Sequence, residues 1–181
     1  MNPLYKSLVS DIVGTTHLIT VNARFEKDGI WALGIINSLD LLFNNYPEAG
    51  MNERIRTALF SCIGIDEDEL NADAKSISDW AEGKSREDIS AALRGEGDSP
   101  VAAIAKKAKD DEFWMYSKFF GLGLVKMMDI IGIEQNADEV YPIMEEWMGT
   151  SLGKPHFTAC VSSFNFIRTA TLSLMRNHFL F

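Results

Sequence analysis

The stretch Asp110–Gly132, DDEFWMYSKFFGLGLVKMMDIIG, carries apolar residues on nearly every side of a helix. Phe113, Tyr116, Phe120, Leu124, Met127 and Ile131 recur at steps of three and four, the spacing of one helical face. Trp114, Leu122 and Val125 make the opposite side apolar as well. A helix of this kind is buried by its neighbours, so the stretch predicts a central helix around which the rest of the chain packs. Asp110 and Asp111 suit its start, where they accept from free N–H groups and face the positive end of the dipole. Gly132 suits its end. Ser117 and Gly121, small and four apart, predict a face that another backbone approaches. Gly121 and Gly123 each cost about 1 kcal/mol relative to Ala, and close packing is the expected compensation.

A second stretch echoes the first. Trp31–Leu41 reads WALGIINSLDL and Phe120–Ile130 reads FGLGLVKMMDI, and residue classes agree over the eleven positions. Phe25 and Trp114 lie at the same distance upstream. One reading is a duplicated helical unit whose copies cross near Gly34 and Gly123. The other is chance likeness between two buried helices, since one short echo falls short of a repeat array.

With 181 residues the chain is most simply one domain. It can bury about 70% of its unfolded surface, enough to hold a core without metal or disulfide. Cys62 and Cys160 lie in apolar helical patterns and read as core residues or free thiols. A net charge of −9 argues against a nucleic-acid binder, which carries a basic face. No apolar run reaches the ~20 residues of a membrane span, and the N-terminus lacks signal-peptide character.

In chain order, Asn2-Pro3 starts a first helix that reaches about Asn22. Within it, His17 is expected to hydrogen-bond inside the bundle. Asp28 can cap a second helix, from about Gly29 to Asn45. A third runs from Met51 to Cys62 and is closed by Gly64. Asp66–Glu69 lacks the alternating ligands of a calcium loop and reads as the acidic start of a helix ending near Gly83. Ser85 and Asp88 predict a capping box for Arg86–Leu93. Gly95–Pro100 is a loop, and Ser99-Pro100 opens a short helix. Ala137–Met148 forms another, followed by a turn over Gly149–Pro155. Residues 149–181 are expected to form an amphipathic, weakly basic helix packed on the 1–148 bundle, or to lie at a membrane interface through 157–181. Every element has helical period, so the predicted fold class is all-α, a compact multi-helix bundle.

Chemistry leaves little trace. His17, His156 and His178 are far apart, and no nucleophile–base or metal-ligand signature occurs. Asp40 and Asp129, at equivalent places in the echo, are the one carboxylate pair to consider for catalysis. The residues point to a binding or scaffold role, with no catalytic, metal or cofactor residues assigned. Trp31, Trp114, Phe119 and Phe120 also admit a carrier of an apolar ligand such as a pigment.

These residues resemble those of the thylakoid formation family, a photosystem II-associated biogenesis and repair factor of cyanobacteria and chloroplasts. Tyr5, Val9, Asp11, His17-Leu18, Phe25, Ala32-Leu33-Gly34, Asp40 and Tyr46 match its first signature. Trp114, Tyr116-Ser117-Lys118 and Phe120-Gly121-Leu122-Gly123-Leu124 match its second, F-x-Y-S-R-x-F-A-I-G-L, with conservative changes. The likeness covers about residues 4–133. Departures include Thr15-Thr16 before His17, Gly29 in place of Pro, and no recognisable charged C-terminal stalk after Met148. The chain also looks shortened at its N-terminus, which suggests a divergent or phage-borne cyanobacterial relative. The resemblance implies a non-enzymatic helical adaptor, peripheral on the cytoplasmic or stromal face of the thylakoid. Its implied partners are the membrane-anchored AAA+ protease of the FtsH type and photosystem II assembly components. It implies no cofactor and no catalytic residue; the signature residues Tyr5, His17, Trp31, Gly34, Asp40, Trp114, Tyr116, Ser117, Gly121 and Gly123 are expected to pack.

Overall fold

Helix starts and stops are written locally in this chain. The computed structural model describes residues 3–43 and 50–161, the side chains of residues 3–5, 7 and 8 excepted, and all of its regular structure is helical. The order is α1 Pro3–Thr20, α2 Gly29–Phe43, α3 Met51–Ile63, α4 Glu67–Ala81, α5 Arg86–Leu93, α6 Pro100–Asp110, α7 Lys118–Ile130 and α8 Ala137–Met144. A π-helical segment, Glu145–Ser151, continues α8.

Side-chain oxygens set most of the starts. Asp66 accepts from the backbone N–H groups of Asp68 and Glu69 at 2.9 and 3.0 Å, so the acidic cluster is a helix start. Ser85 and Asp88 form the reciprocal capping box at the head of α5. Ser99 caps α6 through Ala102 N–H at 3.0 Å, and Asn136 caps α8 through Glu139 N–H at 3.0 Å. Each such cap contributes about 1 kcal/mol.

The fold is all-α, with a centre shared by two helices. α2 makes its most extensive contacts with α7 and next with α4. Ile30, Trp31, Ile35 and Leu39 of α2 and Phe119, Leu122, Leu124 and Met127 of α7 are at most 1% exposed. The helices approach through missing side chains: a Cβ on Gly34 would lie 1.8 Å from Phe119 O. Ser38 follows one turn later, its hydroxyl donating to Gly34 O at 2.6 Å. α5 and α6 pack together, and α5 also meets the π-helical segment. There the Glu146 carboxylate accepts from Arg86 and from the Ser90 hydroxyl.

Three expectations need correction. The central helix starts at Ser117, not Asp110. Asp110 ends α6, and the Asp111 carboxylate accepts from Phe113 N–H at 2.9 Å, turning the chain away from the α6 axis. Ser117 then accepts from Phe120 N–H at 3.2 Å and opens α7. Phe113, expected inside, is 59% exposed. Ser117 is therefore a cap and not the small partner of Gly121 on a helix face.

The turn expected over Gly149–Pro155 begins later, because the π-helical segment runs to Ser151 and Leu152 N–H bonds Trp147 O at 2.9 Å. The expected division at 148 falls inside that continuous helical run. His17 is exposed, since α1 turns Ile12 and Thr16 inward and leaves His17 on the outer side. Most of the expected C-terminal amphipathic helix lies outside the described residues, as do Asn2 and Tyr46.

Candidate functional site

The two central helices begin in the same way. Phe25, Asp28, Trp31 and Gly34 follow one another at intervals of three, as do Trp114, Ser117, Phe120 and Gly123. In each set the second residue caps the helix: Asp28 Oδ1 accepts from Trp31 N–H at 2.8 Å, and Ser117 Oγ from Phe120 N–H at 3.2 Å. In each, the first and third rings meet edge to face. Phe25–Trp31 and Trp114–Phe120 both have centroids 5.1 Å apart, with interplanar angles of 62° and 78°. The fourth residue of each set is the glycine of the helix crossing.

The first three residues of both sets line one cavity of about 200 Å³. Ile104, Lys107 and Ala108 of α6 form another wall, and Arg24, Glu26, Lys27, Asp111 and Met115 complete the lining. The lining cations are engaged. Lys107 pairs with Glu26 at 2.6 Å and Lys27 with Glu69 at 3.4 Å. Arg24 lies over the Phe113 ring at 4.2 Å. Lys154 sits 5.5 Å above the Trp114 ring and donates to Asp111 O at 3.0 Å.

Asp28 differs from these. It lines the cavity, is half-buried, and is in no ion pair among the described residues. Desolvation pushes its pKa up from 3.8 to about 6, against the N–H groups of Trp31 and Ile30 that favour the carboxylate. Asp73 pushes the same way as burial and Lys107 opposes it. Trp31 is 1% exposed, and its indole Nε1 has no hydrogen-bond partner among the described residues. The arrangement offers an aromatic-lined cavity and one half-buried carboxyl that is in no ion pair among the described residues. That is equipment for holding a ligand.

The residues singled out in sequence divide between this cavity and the crossing. Trp31, Trp114 and Ser117 line the cavity, Gly34 and Gly123 form the crossing, and Gly121 is buried in α7. Tyr116 is half-buried in the segment before α7. The backbone of Tyr5 lies in α1, its side chain being outside the described residues. Asp40 and Asp129 do not share a cleft. Both are exposed, Asp40 pairing with Arg56 at 3.2 Å and Asp129 with Lys126 at 2.6 Å. Among the described residues no cluster of three or more His, Cys, Asp or Glu is placed to hold a metal ion. Sequence reading took Asp28 as a cap only and missed Lys107 and Lys154 as neighbours of the aromatic box. The repeated aromatic–cap–aromatic spacing was the signal that could have found Asp28.

The model of the family described as "Thylakoid formation protein" matches residues 1–160. The protein named Thf1 from Crocosphaera subtropica is 26% identical over 133 residues, covering 71% of this chain and 53% of that protein. The protein THYLAKOID FORMATION 1, chloroplastic, of Arabidopsis thaliana is 24% identical over 129 residues, covering 70% and 43%. This chain thus spans about half the length of these relatives. The solved structure of Psb29 superimposes with a TM-score of 0.70 at 18% identity, covering 98% of this chain and 86% of that one. At that identity the likeness speaks for the fold.

Proposed function

This chain belongs to the thylakoid formation protein family, and on that premise we propose that it is a non-enzymatic adaptor in photosystem II biogenesis and repair. It supports the membrane-anchored AAA+ protease of the FtsH type from the cytoplasmic or stromal face of the thylakoid. The family match over residues 1–160 carries the reading. Two further features support it. The signature aromatics and glycines serve packing and a small cavity, and Asp40 and Asp129 are bound to separate cations at the surface. No helix among the described residues is long and apolar enough to cross a membrane, so attachment in this reading is peripheral, through the protease or through residues 157–181.

The carrier alternative rests on the same aromatic residues. Their cavity, about 200 Å³, lies below the ~300–1,000 Å³ of drug-sized ligand pockets, which does not suit a pigment macrocycle.

The test is affinity capture from solubilised cyanobacterial membranes, with the tagged chain as bait. Recovery of membrane protease subunits above an unrelated helical bait is the expected outcome. Capture that returns neither protease nor photosystem II components counts against the adaptor.

A further inference from the structure

The adaptor reading gives the cavity at the heads of α2 and α7 no ligand, and its chemistry is specific. We propose that it binds an organic cation, a guanidinium or ammonium head on a short apolar stem, with the head on Asp28 and the stem between Trp31 and Trp114. This inference stands independently of the protease partner.

Two observations carry it. First, Asp28 is a carboxyl lining the cavity with no ion-pair partner among the described residues, while Lys27 and Lys107 are held by Glu69 and Glu26. A desolvated carboxylate gains most from an added cation, because the attraction is least screened there. Second, the lining is aromatic on both sides, and ring faces attract cations. The protein already uses this attraction next to the cavity, with Lys154 over Trp114 and Arg24 over Phe113. The two helix N-termini do not turn the site into an anion site, because Asp28 and Ser117 already cap them.

The cavity's size fits a side-chain-sized ligand. Its volume, about 200 Å³, is of the order of one long amino-acid side chain. The chain's net charge of −9 also draws cations toward it.

The probe is butylguanidinium, titrated into the whole chain and read by Trp fluorescence and calorimetry, with neutral butylurea as its isosteric control. Saturable binding of butylguanidinium, with butylurea at least tenfold weaker, is expected. Asp28→Asn keeps the cap, since Asn caps as well as Asp, and is expected to lose about tenfold or more in affinity.

Lowering the pH from 7.5 to 5 is expected to weaken binding to the natural chain about tenfold as Asp28 takes up its proton. The charged groups that act on Asp28 are Asp73 of α4 and Lys107 of α6, and Arg24, Glu26, Lys27 and Asp111 share the cavity lining with it. The pH dependence is therefore expected to vanish in Asp28→Asn but persist in Glu26→Gln.

A capped arginine, N-acetyl-arginine methylamide, separates the two sources. Tighter binding than butylguanidinium assigns a protein side chain, and equal or weaker binding a free small cation. Butylurea binding as well as butylguanidinium, or no saturable binding by either, overturns the proposal. The control compound acts on the natural chain, so the proposal can be overturned even if Asp28→Asn fails to fold.

Discussion

Gly34 of α2 and Gly123 of α7 each occupy the space through which the other helix runs. A Cβ on Gly34 would lie 2.6 Å from Gly123 N, and one on Gly123 would lie 2.0 Å from Ile30 O. The atoms in the way are backbone, which cannot rotate aside as a side chain can. The crossing therefore fixes the separation of α2 and α7, and with it the aromatic cavity at their heads.

The start of α7 gives a substitution whose sign discriminates. Ser117 is a cap, and Ser117→Ala is expected to cost about 1 kcal/mol. Were the helix continuous from Asp110, Ser117 would be interior, and Ala there would stabilise by a few tenths of a kcal/mol. Urea unfolding of the two proteins decides between them.

Asp28 makes stability depend on pH in an unusual direction. Its folded pKa, about 6, lies above its ordinary 3.8, so the folded chain holds the proton more tightly than the unfolded one. The ionised form thus costs stability above pH 6, and the cost fades as pH falls through 6 towards 4. Relative to Asp28→Asn, the natural chain is expected to gain about 1 kcal/mol between pH 7.5 and pH 5. Paired denaturation curves at the two pH values measure it, and a flat difference would mean an unshifted carboxyl.

The two cysteines are free and unlike each other. Cys62 is exposed, whereas Cys160 is buried and its thiol pKa is pushed up by desolvation, with Glu145 adding to it. A thiol reagent at neutral pH is expected to modify Cys62 rapidly and Cys160 slowly in the folded chain. Both are expected to react alike in denaturant.

Most helix boundaries were legible because their chemistry is local. Ser85 with Asp88, Asp66, Ser99-Pro100 and Gly64 each announce a start or stop within four residues. The false start at Asp110 arose because apolar period continues through Phe113 and Tyr116. Period does not register that the Asp111 side chain has taken the next N–H for a turn. His17 was misplaced because apolar Val13, Leu18, Ile19 and Val21 surround it along with Thr15, Thr16 and Thr20, so sequence alone did not show which face of α1 turns inward.

The crossing was legible as an echo between two segments, since close approach demands glycine in both. The cavity was not legible. It depends on α6 bringing Ile104 and Lys107 beside two helix heads more than eighty residues apart in the chain, a relation no local pattern encodes.

The sharpest test compares two glycines in urea unfolding. Gly14, interior to α1, has nothing within 4 Å of a Cβ position, so Gly14→Ala is expected to stabilise by about 0.5–1 kcal/mol. Gly123→Ala gains the same helix preference but drives a methyl into the Ile30 carbonyl. Overpacking of about 3 kcal/mol leaves a net loss of about 2 kcal/mol. Opposite signs for the two substitutions are the predicted result. A Gly123→Ala chain as stable as the natural one would contradict the nesting of α2 and α7 on which the fold and the cavity both rest.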